Sequence, residues 1–362
     1  MTSPMLISQE VIATNLENTV ARLVRHRSYD LRGRGTESSG LVMVPTTAGD
    51  NRRVMTWCHG TTGMGDAACP SAQPDPAGDL RTYFSADSTG QIDYGVPGVQ
   101  KFIDDGWIVC ATDYQGLGTP GMHQYTVNRT NAIDAVTIVH AAREMGLGAG
   151  TRFGTMGWSQ GGAASAAMAE LDDADFGELE LVGSVAMSPG VPIMGMRDPS
   201  GLSTALTGAD IPPDGHLIMI LTALVTAFPD ELNLGDVFTP LGIEIMEKAW
   251  NTQPVHHLSD TLGRMYSFEG PILDVKADRI PAWLAAMTEA SAGRVTPRCP
   301  IFVAVDGFHG GSVVPVGWQT AYADAAKALG GDVTTKVYEN DDHFSLPGHC
   351  VADAREWLTT QF

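Results

Sequence analysis

Short apolar runs alternate along this chain with longer stretches in which apolar residues return every third or fourth position. The first pattern is that of buried strands and the second that of amphipathic helices. Residues 9 to 26 predict an opening helix. Ser38 to Pro45 and Arg52 to His59 predict two strands, and the turn-rich Thr46 to Asn51 between them predicts a hairpin. Val96 to Asp105 then predicts a helix and Trp107 to Thr112 a strand. In Asn128 to Glu144 the side chains of Ile133, Val136, Val139 and His140 share one helical face. Arg152 to Trp158 predicts a strand, the alanine-rich Ala163 to Leu171 a helix, and Leu181 to Met187 another buried strand.

This rhythm breaks from Gly190 to Arg298, where helical runs and prolines give no convincing strand. The gap is far longer than an ordinary βα connection. It resumes with the strand Ile301 to Val305, the helix Gly317 to Leu329, the strand Val333 to Glu339 and the helix Cys350 to Thr360. The expected fold class is therefore α/β, a mostly parallel sheet with helices on both faces. Residues 1–189 and 299–362 form its core, and 190–298 a helical insertion over the carboxyl edge of the sheet.

Candidate chemistry enters where strand meets helix. Gly157-Trp158-Ser159-Gln160-Gly161 places a serine in a tight strand-to-helix turn with small residues at −2 and +2. That context lifts the hydroxyl off the sheet edge and aims the helix N-terminus at it; the bare pentapeptide recurs by chance and would be a plain turn. A serine nucleophile needs a base, and in this architecture the base follows the last strand. His343 holds that place, with His349 as the fallback. The acid should follow Ile301 to Val305, where Asp306 is the only acid, in a segment equally suited to a structural turn; Asp341 and Asp342 are poorer candidates, because residues adjacent to the base in sequence usually point apart from it. An oxyanion needs placed donors: the N–H of Gln160 at the helix start and that of Thr61 in the loop His59-Gly60-Thr61-Thr62-Gly63.

Composition narrows the partners. Twenty-two basic against 42 acidic residues give a formal charge of −20. Such a surface repels nucleic acid and anionic membranes. The longest apolar run, Leu217 to Phe228, is too short to span a bilayer, so no stable membrane insertion is expected. Met1 to Glu10 lacks the basic and apolar regions of a signal peptide, which predicts a cytoplasmic protein. Five cysteines without C-x-x-C spacing predict reduced thiols, a Cys58–Cys69 pair staying open. Gly116-Leu117-Gly118-Thr119-Pro120-Gly121 matches a dinucleotide fingerprint, but Pro120 would constrain the phosphate loop, and Asp134 falls inside a predicted helix. His256-His257 cannot both face one metal from a helix, so neither metal nor other cofactor is expected.

Three stretches together resemble the secretory-lipase branch of the α/β-hydrolases, including its bacterial members and the fungal lipase A type. They are His59 to Gly63, Asp113-Tyr114-Gln115-Gly116-Leu117-Gly118-Thr119-Pro120-Gly121, and Gly157 to Gly162. The resemblance runs from about Tyr29 to the C-terminus. It implies an α/β-hydrolase fold, a carboxylic ester hydrolase acting on a small-molecule or lipid ester, Ser159 as nucleophile, His343 as base, and residues 190–298 as a lid-bearing cap. Leu217, Leu221, Leu224 and Phe228 of that cap would suit an acyl or aromatic group, or equally a packed core. One departure stands out. The family's acid shortly precedes a Val-Pro pair, whereas His309-Gly310-Gly311-Ser312 precede Val314-Pro315 here. The acid is then displaced to a residue such as Asp306, supplied elsewhere, or missing. An acyltransferase or a catalytically degenerate ligand-binding protein stays open beside the esterase.

Overall fold

The computed structural model describes residues 4–86, 91–196, 214–310 and 313–362. Its sheet has nine strands: β1 (Leu6–Ile12), β2 (Thr19–Tyr29), β3 (Gly35–Pro45), β4 (Arg52–Cys58), β5 (Ile108–Thr112), β6 (Ala149–Trp158), β7 (Glu180–Met187), β8 (Ile301–Asp306) and β9 (Val333–Tyr338). They lie in the order β1-β2-β3-β5-β4-β6-β7-β8-β9. From β5 to β9 every pairing is parallel, and β1, β2 and β3 join as an antiparallel ribbon at one edge. This is the mostly parallel α/β sheet expected from the pattern, in the architecture that the resemblance implies.

Two expectations near the N-terminus fail. Residues 9 to 26 form no helix. Asn18 takes a left-handed φ of 50°, which breaks any helix there, and the following residues pair with β3 over an unbroken register from Thr19↔Pro45 to Tyr29↔Gly35. An eleven-residue ladder outweighs the modest helix propensity of this stretch, where Val20 and Val24 favour extended backbone. Nor do β3 and β4 form a hairpin. β5 lies between them, antiparallel to β3 and parallel to β4. The turn after β3 therefore carries the chain past a strand position, and β4 is buried between two parallel neighbours.

Alternate residues of the central strands divide between two apolar layers. Val54, Cys58, Val303 and Val305 face one layer, while Met55, Trp57, Phe302 and Ala304 face the other. In chain order the first helices are α1 (Val99–Asp104), α2 (Asn128–Glu144), α3 (Gln160–Met168) and α4 (Asp173–Phe176). Next come α5 (Gly215–Ala227), α6 (Pro240–Ala249), α7 (Val255–Glu269) and α8 (Ile280–Ala290), all between β7 and β8, followed by α9 (Val316–Ala328) and α10 (Leu346–Thr359). Helices α2, α3 and α9 cover the first face; α1 and α10 cover the second. Ile218, Leu221, Leu262 and Trp283 of the inserted helices join the first layer, so their interior is continuous with the core. All five cysteines are buried and unpaired, Cys58 and Cys69 included. No helix among the described residues is long and apolar enough to cross a membrane.

Candidate active site

Four strands that are neighbours in the sheet, β6 to β9, deliver four polar side chains to one edge. Ser159 follows β6 at once, with φ 60° and ψ −118°. A non-glycine residue held there costs roughly 1–3 kcal/mol, and its surroundings must hold it in place. They do so through the backbone: Ser159 N–H donates to Met187 O at 2.9 Å, and Ser159 O accepts from Gly190 N–H at 3.0 Å and Ala163 N–H at 3.1 Å. The flanking glycines are there for space. A Cβ on Gly157 would strike the carbonyl oxygen of Gly161, and one on Gly161 would strike that of Cys58. The serine hydroxyl itself makes no hydrogen bond among the described residues.

His343 sits in the loop after β9, 2% exposed, its ring 5.1 Å from that of Trp158 beside the serine. Burial lowers its pKa below the ordinary 6.5, while Asp306 works in the opposite direction. Its Nδ1 faces two acceptors, Ser188 Oγ at 2.9 Å and Asp306 Oδ2 at 3.7 Å. A proton held on Nδ1 leaves Nε2 with its lone pair. Asp306 ends β8 and is fully buried. Its Oδ1 accepts from Ser188 Oγ at 2.9 Å and from Gln319 Nε2, and its own N–H donates to Gln319 Oε1 at 3.2 Å. The same Gln319 amide donates to Val314 O at 2.7 Å, so the Val-Pro segment helps hold Asp306 in place. Asp306 Oδ2 is buried with no hydrogen-bond partner.

The fallback histidine lies elsewhere. The His349 side chain is 68% exposed and pairs with Asp341, while Asp342 accepts from the N–H groups of Phe344 (3.0 Å) and Ser345 (2.8 Å) in its own turn. Gln160 opens α3, with its side chain tied back to His123 Nε2 at 2.7 Å and Asn131 Oδ1 at 3.3 Å. Thr61 is pinned by Tyr125 through a 2.9 Å hydroxyl contact, and His59 lies between the carbonyls of Gly60 (2.6 Å) and Asp113 (3.1 Å). Neither Gln160 nor Thr61 uses its main-chain N–H in a hydrogen bond among the described residues. The inserted helices touch this loop directly, because Val255 N–H at the head of α7 donates to Thr62 O at 2.9 Å.

Aromatic rings flank His343. Phe344 lies 5.5 Å from His343 and 5.8 Å from Trp158, Phe84 lies 5.0 Å from Phe344, and Tyr83 stacks on His256 at 3.6 Å. Leu221, Leu224 and Phe228 are buried in the core, and Leu217 is partly buried against it. Asp134 is buried inside α2, accepting from Ser28 Oγ (2.5 Å) and Gln115 N–H (2.9 Å). No cluster of metal-ligating side chains occurs among the described residues. Sequence reasoning missed Ser188, which lies between Asp306 and His343, and Gln319, which holds Asp306.

Residues 82–197 match the family model described as Secretory lipase. This is a secretory-lipase segment. It holds the Asp113-to-Gly121 turn, Ser159, Gln160 and Ser188, and by it the chain is a carboxylic ester hydrolase. No curated protein matches the sequence. Among solved structures, this chain resembles a ligand-bound form of the rice cell wall degrading esterase LipA from Xanthomonas oryzae. The two share 15% identity and a TM-score of 0.74, with 99% of each chain covered. Candida antarctica lipase A in its closed state gives 14% identity and a TM-score of 0.74, over 99% of this chain and 81% of that one. At such identities the likeness speaks for the fold.

Proposed function

We propose that this ester hydrolase works through an acyl-enzyme on Ser159, without a cofactor. The observation that carries the reading is the placement of Ser159, Asp306 and His343 after strands β6, β8 and β9 of one parallel sheet, with the serine strained onto its turn. Ser159 Oγ attacks the acyl carbon as His343 Nε2 takes its proton. The oxygen charge that develops is held by the N–H groups of Gln160 and Thr61. Collapse breaks the ester C–O bond, and the imidazolium returns its proton to the leaving alcohol. Water then repeats the sequence on the acyl-enzyme. Burial of His343 keeps the imidazole neutral and ready to accept a proton at pH 7.

The rings of Trp158, Phe344, Phe84 and Tyr83 beside the base fit an ester with an apolar acyl or aryl part. Residues 190–298 act as a cap, since their helix α7 is tied to the loop that carries Thr61. The test is ester hydrolysis by wild type and Ser159→Ala, together with labelling by a fluorophosphonate. The variant is expected to lose on the order of 10⁵-fold in kcat and to take no label while keeping its circular dichroism spectrum. Turnover near the wild-type level in the purified variant would refute the reading.

A further inference from the structure

Ser188 is where the arrangement departs from a simple acid–base contact. It follows β7, the strand that lies between those leading to Ser159 and Asp306. It is fully buried, takes a left-handed φ of 44°, and is anchored by Ser188 N–H donating to Ala304 O at 2.7 Å. Its hydroxyl lies 2.9 Å from Asp306 Oδ1 and 2.9 Å from His343 Nδ1. A carboxylate oxygen can only accept, so the hydroxyl proton points to Asp306 and the oxygen accepts Nδ1–H from His343. The direct Nδ1–Oδ2 separation is 3.7 Å, beyond a hydrogen bond.

We propose that Ser188 is a positioning residue of this site, an inserted link that orients neutral His343 and leaves Asp306 Oδ2 vacant for the imidazolium. The inference rests on the Ser159 mechanism above. In the resting enzyme a neutral imidazole needs one acceptor at Nδ1, and the serine oxygen provides it. A buried carboxylate oxygen without a donor is destabilised. When Nε2 takes the Ser159 proton, the ring becomes cationic and its Nδ1–H is drawn the short distance to Oδ2. The attraction is then gained after the ground state, when charge has formed, so it lowers the barrier instead of tightening the resting contact. No bond to Ser188 is made or broken; its hydroxyl keeps its own proton throughout.

The test compares wild type, Ser188→Ala and Ser188→Gly, the glycine variant suiting the positive φ where alanine is strained. The readouts are kcat and KM on a p-nitrophenyl ester and the pH dependence of kcat/KM. The titratable groups that face His343 are Asp306 on β8, Asp342 in its own loop and His216 on α5, and all three are unaltered in these variants. Both variants are expected to lose about tenfold to a hundredfold in kcat with KM nearly unchanged. Their acid limb should move to higher pH, because Nδ1–H then rests directly on Asp306. Wild-type kcat and an unmoved limb would overturn the proposal; so would a lost kcat with an unmoved limb, the mark of a structural role. Fluorophosphonate labelling of Ser159 in the wild type separates the two levels. Without that label the serine mechanism itself fails, and Ser188 has nothing to position.

Discussion

At the scale of single residues, the site works by denying groups their ordinary surroundings. His343 is stripped of water, which disfavours its cationic form, and Asp306 restores part of that loss. The sign of the pH dependence follows. The proposed base acts when neutral and its pKa lies below 6.5, so the acid limb of kcat/KM should be centred below pH 6.5. In Asp306→Asn the support for the imidazolium is gone; the limb should move lower still, and the rate should drop on the order of 10⁴-fold. A pH–rate profile of both proteins checks this, and a wild-type limb centred above pH 6.5 would contradict it.

At the scale of elements, the strand-to-helix turn is over-determined by contact. Gly161 lets α3 approach the end of β4, where a methyl group would meet the carbonyl oxygens of Cys58 and His59. Those are backbone atoms and cannot swing away. Gly161→Ala should therefore cost roughly 1–3 kcal/mol in urea unfolding and lower activity as Ser159 shifts. An unchanged midpoint would mean that the turn yields more readily than its packing implies. Much at this scale was legible in the chain. Asn128 to Glu144 is a helix over the bounds its periodicity predicts, and β5, β7, β8 and β9 fall within a residue or two of the expected strands. Ser159, His343 and Asp306 could be named because alternation puts them at strand ends. Lateral order was not legible. Nothing local in β3 or β4 announces that β5 will lie between them, and for the same reason Ser188 carried no signal. A serine after a strand is ordinary until the fold brings Asp306 and His343 within hydrogen-bond reach of its hydroxyl. The opening ribbon is not legible because its residues are held extended by ladders between β1 and β2 and between β2 and β3, which no local pattern announces.

For the whole molecule, buried ionisable groups oppose one another on acidification. Burial lowers His26 to about 4 and His123 to about 3, so unfolding takes up protons at these sites below pH 6.5, and they weaken the fold as pH falls. Asp93 and Asp134, raised to about 7 by burial, hold protons in the fold that the unfolded chain releases, and they strengthen it as pH falls from 7 towards 3.8. The two pairs offset each other between pH 6.5 and 4. Removing one histidine should expose the imbalance. In His26→Asn the unfolding free energy relative to wild type should rise on acidification by about 1.4 kcal/mol per pH unit within that window, whatever its neutral-pH value. Parallel curves for the two proteins would show that His26 does not titrate on unfolding.

The long excursion between β7 and β8 also bears on how the molecule assembles. Strand β6 pairs with β7 across only residues 159–179, but β8 must find β7 across residues 188–300. Chain closure over such a distance is entropically slow to nucleate. Refolding should therefore bring the serine's turn into shape early and install its carboxylate late. A newly made chain would pass through an interval in which the proposed nucleophile is already placed while its carboxylate is not.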